Sequence, residues 1–111
     1  MDESAQRILE YLTEVEVAAE DILSDKQQIV DLDSRRNRNR EALGALRNHS
    51  SNGKYRYYQE QLDKEISDLR KQLKAKVNRL NDLQGKPELR GYNLSPLSND
   101  EIKAISTLLK K

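Results

Sequence analysis

Apolar residues recur every three and four positions in two long stretches of the sequence, and a short polar connector at residues 50–53 separates the stretches. The seam of the first stretch consists of Ile8, Leu12, Val15, Ala19, Ile22, Ile29, Leu32, Leu43 and Leu46. The seam of the second stretch consists of Tyr55, Leu62, Ile66, Leu69, Leu73, Leu80 and Leu83. A heptad repeat buries one stripe of a helix against a partner helix. The sequence therefore predicts an all-α fold, an antiparallel two-helix coiled-coil hairpin.

Helix-breaking residues predict where the two long helices end. Residues 4–48 contain no proline and only one glycine, Gly44, so the first helix is expected over about 4–48 and a connector over 49–54. The second helix is expected over about 55–84, because Gly85 and Pro87 follow it in the order that is usual at a helix C-terminus.

The remaining tail predicts two further segments within a single domain, residues 1–111. Residues 85–97 contain Pro87, Gly91 and Pro96 and are expected to be extended. Ser98 and Glu101 then form a capping-box signature ahead of apolar residues at helical spacing. A short third helix is therefore expected over 98–110.

Opposite charges on the two stretches support the antiparallel direction. If the turn is centred near Ser50 and Ser51, residues whose numbers sum to about 101 lie opposite each other. An acidic run within residues 10–25 then faces mainly basic residues within 74–86, and the arginines of 35–40 face the acidic residues of 60–68. Each exposed pair contributes only about 0.2–1 kcal/mol, so the charges select direction and register while the apolar seam supplies most of the stability.

Three polar residues within the seam are expected to set its register: Arg36 and Asn39 on the first helix and Lys76 on the second. The Arg-rich segment 35–40 also permits a second interpretation, because clustered arginines bind nucleic acid. No aromatic stacking platform accompanies the segment in the sequence. A helix face paired with the acidic residues of the second helix is therefore the preferred interpretation, and nucleic acid is not an expected partner.

Composition restricts the other functions. With 35% charged residues, 35% hydrophobic residues and a mean hydropathy of −0.96, the chain cannot fill a large globular core. It has no Cys and one His, His49, so we expect no catalysis, no metal, no cofactor and no small-molecule substrate. Neither a signal-like start nor a run of about 20 apolar residues is present. The expected location is the cytoplasm, with the nucleus as a second compartment, and no membrane partner is expected.

Apolar residues near the two chain ends form the candidate contact surface for another protein. On the predicted register the first helix extends past the end of the second, and the third helix is expected at the same end of the rod. These residues either cover one another or bind another chain. The proposed contact residues are Ile8, Leu9, Leu12, Ile102, Ile105 and Leu108. Apolar tail residues that offer an alternative cover are Leu89, Tyr92, Leu94 and Leu97.

Two segments resemble a known family. Residues 27–46 (QQIVDLDSRRNRNREALGAL) and 62–97 (LDKEISDLRKQLKAKVNRLNDLQGKPELRGYNLSPL) are similar to the prefoldin beta-subunit family, and GKPELRGYNLSPL is the most specific string. The similarity covers nearly all of the chain except the connector. It implies a non-catalytic chaperone or co-chaperone subunit that binds unfolded or partly folded proteins without nucleotide. Its partners would be other prefoldin or prefoldin-like subunits and non-native protein clients.

The connector departs from the family pattern. Beta-type prefoldin subunits carry a β hairpin between their helices, and these hairpins assemble the hexamer. Here about six to eight residues near 49–56 occupy that place, which is too short for a stable hairpin. Tyr55, Tyr57 and Tyr58 are a candidate remnant of one strand. We therefore expect a prefoldin-like coiled coil without the hairpin, and a coiled-coil adaptor that binds one folded partner is the alternative function.

Overall fold

Three helices make up the part of the chain that the computed structural model describes, namely residues 3–46, 48–50, 52–85 and 96–110. Helix α1 comprises Glu3–Leu46, α2 comprises Asn52–Gln84 and α3 comprises Asn99–Lys110. Helices α1 and α2 pack against each other in opposite directions, and α3 packs on both. The resulting rod measures 70 × 22 × 17 Å. The predicted all-α hairpin with a short C-terminal helix is confirmed.

The turn between α1 and α2 is tighter than predicted. Helix α1 ends at Leu46, two residues before its expected end, and α2 begins at Asn52, three residues before its expected start. The backbone N–H of His49 donates to the carbonyl of Leu46 at 2.8 Å, and the N–H of Asn52 donates to the carbonyl of His49 at 3.2 Å. These bonds satisfy backbone groups that the helix ends would otherwise expose.

The tyrosines near the turn belong to a helix. Tyr55, Tyr57 and Tyr58 all lie in α2, so their interpretation as a strand remnant is wrong. The physical reason is the spacing of Tyr55 and Leu62, which continues the heptad seam to the start of the helix, whereas a strand would need a repeat of two. The described residues contain no strand.

The hydrophobic core is a narrow stripe along the contact between the helices. Its buried members are Val15, Ala19, Ile22, Ile29, Leu62, Ile66, Leu73, Leu80, Leu83 and Ile105. All but Ile105 belong to the two predicted seams, and this confirms the heptad assignment at those positions. Among the described residues, each level of this stripe contains only a few buried side chains.

A reciprocal cap begins α3. The backbone N–H of Ser98 donates to Oε1 of Glu101 at 2.7 Å, and the N–H of Glu101 donates to Oγ of Ser98 at 3.1 Å. The predicted capping box is therefore confirmed. The bond from the Ser98 N–H is the main reason that the pKa of the Glu101 carboxyl lies below its usual value.

Most of the predicted extended tail, including Leu89, Tyr92 and Leu94, lies outside the described residues. At its start, Gly85 follows the last residue of α2 at the predicted stop. Near its end, Leu97 packs against the core stripe. None of the helices in the described ranges has a stretch long and apolar enough to cross a membrane.

Candidate protein-binding surface

Lys76 of α2 connects the two long helices. Its Nζ lies 2.9 Å from Oδ2 of Asp25 and 3.2 Å from Oδ1 of Asp21, both on α1. The side chain of Asp25 is only 8% exposed, and the ammonium group compensates its charge. Hydrogen bonding to Asp25 is the main reason that the pKa of Lys76 is raised.

Arg36 makes a second connection nearer the turn. Its Nη1 lies 3.4 Å from Oδ1 of Asp63 on α2, while its Nη2 pairs with Asp33 on α1 itself. The residue numbers of Arg36 and Asp63 sum to 99, and those of Lys76 and Asp25 sum to 101. The predicted charge register is thus confirmed at two levels of the rod.

Asn39 supplies a buried polar contact between these helices. Its Nδ2 donates to the backbone carbonyl of Tyr55 at 2.9 Å and to Oε1 of Gln59 at 2.8 Å. A shifted register would bury this amide without partners, which is costly. Arg36, Asn39 and Lys76 therefore all lie at the α1–α2 contact, and their part in setting the register stays a prediction.

The register leaves the start of α1 without α2 beside it. Because Lys76 pairs with Asp25, the last residue of α2, Gln84, lies at the level of Val17. Helix α1 begins at Glu3, so it extends beyond α2 by about 20 Å at 1.5 Å per residue. This extension includes three of the predicted contact residues.

The extension and its junction with α2 carry four accessible apolar side chains, which we call the amino-terminal surface: Ile8, Leu9, Leu12 and Val17. Ile8 and Leu12 are half-buried, whereas Leu9 is 49% and Val17 is 58% exposed. Exposed carboxylates surround them at Glu10, Glu14, Glu16 and Glu20. Val17 was not among the predicted contact residues, because it lies outside the heptad seam. Its one signal in the sequence is that it is an apolar residue within an acidic run.

The structure does not bring α3 to this surface, contrary to expectation. At the end of α3, Nε of Arg70 on α2 donates to the carbonyl of Leu108 at 2.9 Å. At its start, Glu101 lies within electrostatic range of Lys26 on α1. On α1, Lys26 is about 27 Å from Ile8 by helical rise. Helix α3 therefore lies back along the coiled coil, because Arg70 and the buried seam offer it partners there.

The three predicted contact residues of α3 have different environments. Ile105 is 4% exposed and belongs to the core, and Leu108 packs against that core. Ile102 is 49% exposed. Ile105 and Leu108 thus hold α3 on the coiled coil, while Ile102 is accessible; a contact role for the six residues stays a prediction.

Two open grooves accompany these surfaces. A groove of about 570 Å³ lies between α2 and α3, and one of about 330 Å³ lies between α1 and α2 beside Val17. Within the described ranges, no three His, Cys, Asp or Glu side chains converge as metal ligands would. His49 is exposed at the turn. Both grooves are lined in part by apolar side chains, and the groove beside Val17 also has charged ones, at Glu14, Asp21, Lys76 and Arg79. Apolar grooves with polar edges are suited to side chains of another protein.

Comparison with known proteins finds close relatives. The Bos taurus protein called p53 and DNA damage-regulated protein 1 is 50% identical over 127 residues, and the Homo sapiens protein of the same name is 49% identical over 127 residues. Each match covers 96% of this chain and 96% of the relative. Neither a family model nor a solved structure matches the chain.

The alignment also indicates a difference in length. It spans 127 positions against the 111 residues of this chain, so at least 16 positions hold residues that only the relative has. This chain is therefore shorter than its relatives within the aligned region.

The fold and its accessible apolar surfaces define a coiled-coil hairpin protein. The identity of about one half, over nearly the whole length of both chains, allows a narrower assignment. The chain belongs to the p53 and DNA damage-regulated protein 1 family.

Proposed function

We propose that the chain acts without catalysis as a prefoldin-like chaperone or co-chaperone subunit, binding unfolded or partly folded proteins within a multi-subunit complex. The observation that carries this proposal is the amino-terminal surface, whose accessible apolar side chains lie on the part of α1 that α2 does not reach and at its junction with α2. Covering such side chains gains about 25 cal/mol per Å² of apolar area. Because hydrophobic attraction is non-directional, they suit clients of varied sequence.

The resemblance to prefoldin beta subunits supports the proposed setting. The partners would be other prefoldin or prefoldin-like subunits in the cytoplasm and the nucleus, and binding would need no nucleotide, cofactor or membrane. The tight turn between Leu46 and Asn52 leaves no room for a β hairpin, so docking would use the coiled coil itself. The name of the relatives describes those proteins as regulated by p53 and DNA damage, and regulated supply is compatible with a co-chaperone role.

A coiled-coil adaptor for one folded partner is the second candidate. The groove beside Val17 favours it, because acidic Glu14 and Asp21 on one side and basic Lys76 and Arg79 on the other give the groove a defined charge pattern. A folded protein can match such a pattern, whereas varied clients cannot. A third candidate, nucleic-acid binding through residues 35–40, predicts an affinity that falls steeply with salt, and absence of binding at low salt would exclude it.

Native mass determination of the affinity-purified complex tests whether the chain belongs to a multi-subunit complex of prefoldin-type subunits. Recovery of several prefoldin-type subunits together with this chain is the result expected for the chaperone proposal. Recovery of a single unrelated folded partner in fixed stoichiometry would instead support the adaptor.

Client binding is tested by suppression of aggregation of heat-denatured citrate synthase by the purified complex. Leu9→Ser should weaken suppression, because it removes an exposed apolar side chain from the amino-terminal surface. Val30→Ser is the matched control, since Val30 has similar exposure on the same helix but lies away from that surface. Equal suppression by both variants would remove the amino-terminal surface from the proposal.

A further inference from the structure

Helix α3 is held on the coiled coil by two kinds of contact. Ile105 inserts into the core stripe, where Leu108 and Leu109 also pack. At the end of α3, Nε of Arg70 donates to the carbonyl of Leu108 at 2.9 Å, and its Nη2 donates to the carbonyl of Leu109 at 3.4 Å. The guanidinium thus binds the C-terminal carbonyls of the helix, where the helix dipole favours a cation.

The start of α3 adds a longer-range electrostatic attraction. Its first turn carries Asp100 and Glu101, and the charge of Lys26 on α1 acts on Glu101. The coiled coil therefore presents a cation to the acidic first turn of the bound helix and a second cation, Arg70, to its last carbonyls. Neither interaction requires a sequence that is unique to α3, because many helices have an acidic first turn and all have free carbonyls at the C-terminal end.

The fit of α3 is incomplete. The groove of about 570 Å³ remains between α3 and α2, with Val77 and Leu80 on one wall and Ile102 and Ser106 on the other. Ile102 is 49% exposed even though it borders this groove. A helix with a larger apolar side chain in place of Ser106 would cover more of the apolar wall of α2, and larger buried apolar area strengthens association.

We propose that this face of the coiled coil is a binding site for an amphipathic helix of a partner protein, and that α3 occupies it as a displaceable internal ligand. The partner helix would carry an acidic first turn and apolar residues at the spacing of Ile102, Ile105 and Leu109, with a large apolar residue at the position of Ser106. Helix α3 has only 12 residues, and helices of that length are marginal by themselves. Its hold therefore depends on the contacts for which the partner helix competes.

Because α3 belongs to the same chain as its binding site, it competes with a partner helix at a high local concentration. Helix α3 follows Gly85 by a short connection, so its effective concentration at the site is high. A partner must bind the free site more tightly than α3 does, and weakening α3 should raise the apparent affinity for the partner in proportion to the fraction of open sites. This proposal is independent of the amino-terminal surface and of client binding.

Fluorescence anisotropy with the full chain and a labelled peptide of residues 97–111 tests the site. Ile105→Asp removes the buried anchor of α3 and should tighten peptide binding by about tenfold or more relative to the unaltered chain. Thr107→Asn is the control, because it changes an exposed position of α3 without adding an anion near the C-terminal carbonyls, and it should leave the affinity unchanged. Equal affinities for the two variants would overturn the proposal. Adding Arg70→Ala to Ile105→Asp should reverse most of the increase in peptide affinity, because the site then lacks the cation that binds the terminal carbonyls of the peptide helix.

A second measurement avoids dependence on the folding of Ile105→Asp. A peptide of residues 97–111 with Ser106→Leu, added in excess to the unaltered chain, should increase amide hydrogen exchange in α3 while α1 and α2 stay protected. The peptide without that change should do so at concentrations about tenfold higher. Unchanged exchange in α3 with both peptides would overturn the proposal. A dimer of the unaltered chain that Ile105→Asp abolishes would also overturn it, by assigning the site to α3 of a second copy.

Discussion

Nζ of Lys76 lies 2.9 Å from Oδ2 of Asp25, so that an ammonium group on α2 neutralises an almost fully buried carboxylate on α1. Neither residue is apolar, yet the pair lies beside the apolar seam that holds the hairpin together. Breaking such a pair from one side leaves a buried charge without compensation, and this cost usually exceeds the value of the pair itself.

Replacing Lys76 by Met should therefore lower the free energy of unfolding by about 1–2 kcal/mol, because the carboxylate of Asp25 loses its partner. Urea denaturation followed by circular dichroism measures the change. Lys74→Met is the matched control, since Lys74 is exposed and should change stability by less than about 0.5 kcal/mol. Equal losses in the two variants would contradict a specific role for the Lys76–Asp25 pair.

The same pair predicts a pH dependence at high pH. The pKa of Lys76 is raised above 10.5 because Asp25 accepts its hydrogen bond, so the folded chain holds this proton more tightly than the unfolded chain. The resulting stabilisation is complete below pH 10.5 and is lost as the pH rises through the raised pKa. Thermal unfolding from about pH 10 to about pH 12 should show a steeper loss of stability for the unaltered chain than for Lys76→Met. Parallel profiles would refute the assignment.

Asn39→Ala should lower the free energy of unfolding by about 1–2 kcal/mol, because it removes the hydrogen bonds to Tyr55 and Gln59 and leaves the side-chain oxygen of Gln59 without this donor. Asn37→Ala is the control, since Asn37 is exposed on the same helix. Chemical denaturation of both variants measures the difference. A loss for Asn37→Ala as large as that for Asn39→Ala would argue against the buried amide as its source.

Truncating Leu73 tests how strongly stability depends on the core stripe. Leu73 is fully buried, so Leu73→Ala should cost about 2–5 kcal/mol through lost burial and the cavity left behind. Val30→Ala, at an exposed position, should cost less than about 0.5 kcal/mol. Unfolding midpoints in urea compare the two, and a loss below about 1 kcal/mol for Leu73→Ala would show that the rod collapses around the gap.

The cap of α3 predicts an opposite pH dependence. The pKa of Glu101 is lowered from 4.5 chiefly by the hydrogen bond from the Ser98 N–H, so the cap stabilises α3 fully above pH 4.5 and loses this effect as the pH falls through the lowered pKa. NMR shifts of the Ile105 methyl groups should report release of α3 in this range. Glu101→Gln should weaken the dependence, because the amide still accepts a hydrogen bond without titrating, whereas Asp100→Asn should retain it.

Sequence patterns predict the hairpin well, because its determinants are local and periodic. The spacing of Leu62, Ile66 and Leu73 marks the buried stripe, and the opposite charges of Arg36 and Asp63 mark the register. Both signals arise from residues that repeat along a helix, so a single wrong position would not change the interpretation.

The position of α3 could not be predicted in the same way. It depends on Arg70 binding the backbone carbonyl of Leu108, and backbone acceptors leave no signature in side-chain patterns. The burial of Asp25 is a second example: the charge pattern placed it opposite Lys76, but its charge gave no sign that the side chain would be almost fully buried. Val17 is exposed because it lies outside the seam, and an apolar residue at such a position gives no periodic signal.

Only five residues separate Leu46 from Asn52, and this tight turn has a kinetic consequence. Closing so short a loop costs little chain entropy, so we expect the first contacts between α1 and α2 to form beside the turn and later ones to add in order away from it, toward Gln84. The segment of α1 around Ile8 and Leu12 lies past the end of α2 and takes no part in this pairing. Its apolar side chains are therefore expected to stay available to another protein while the hairpin forms.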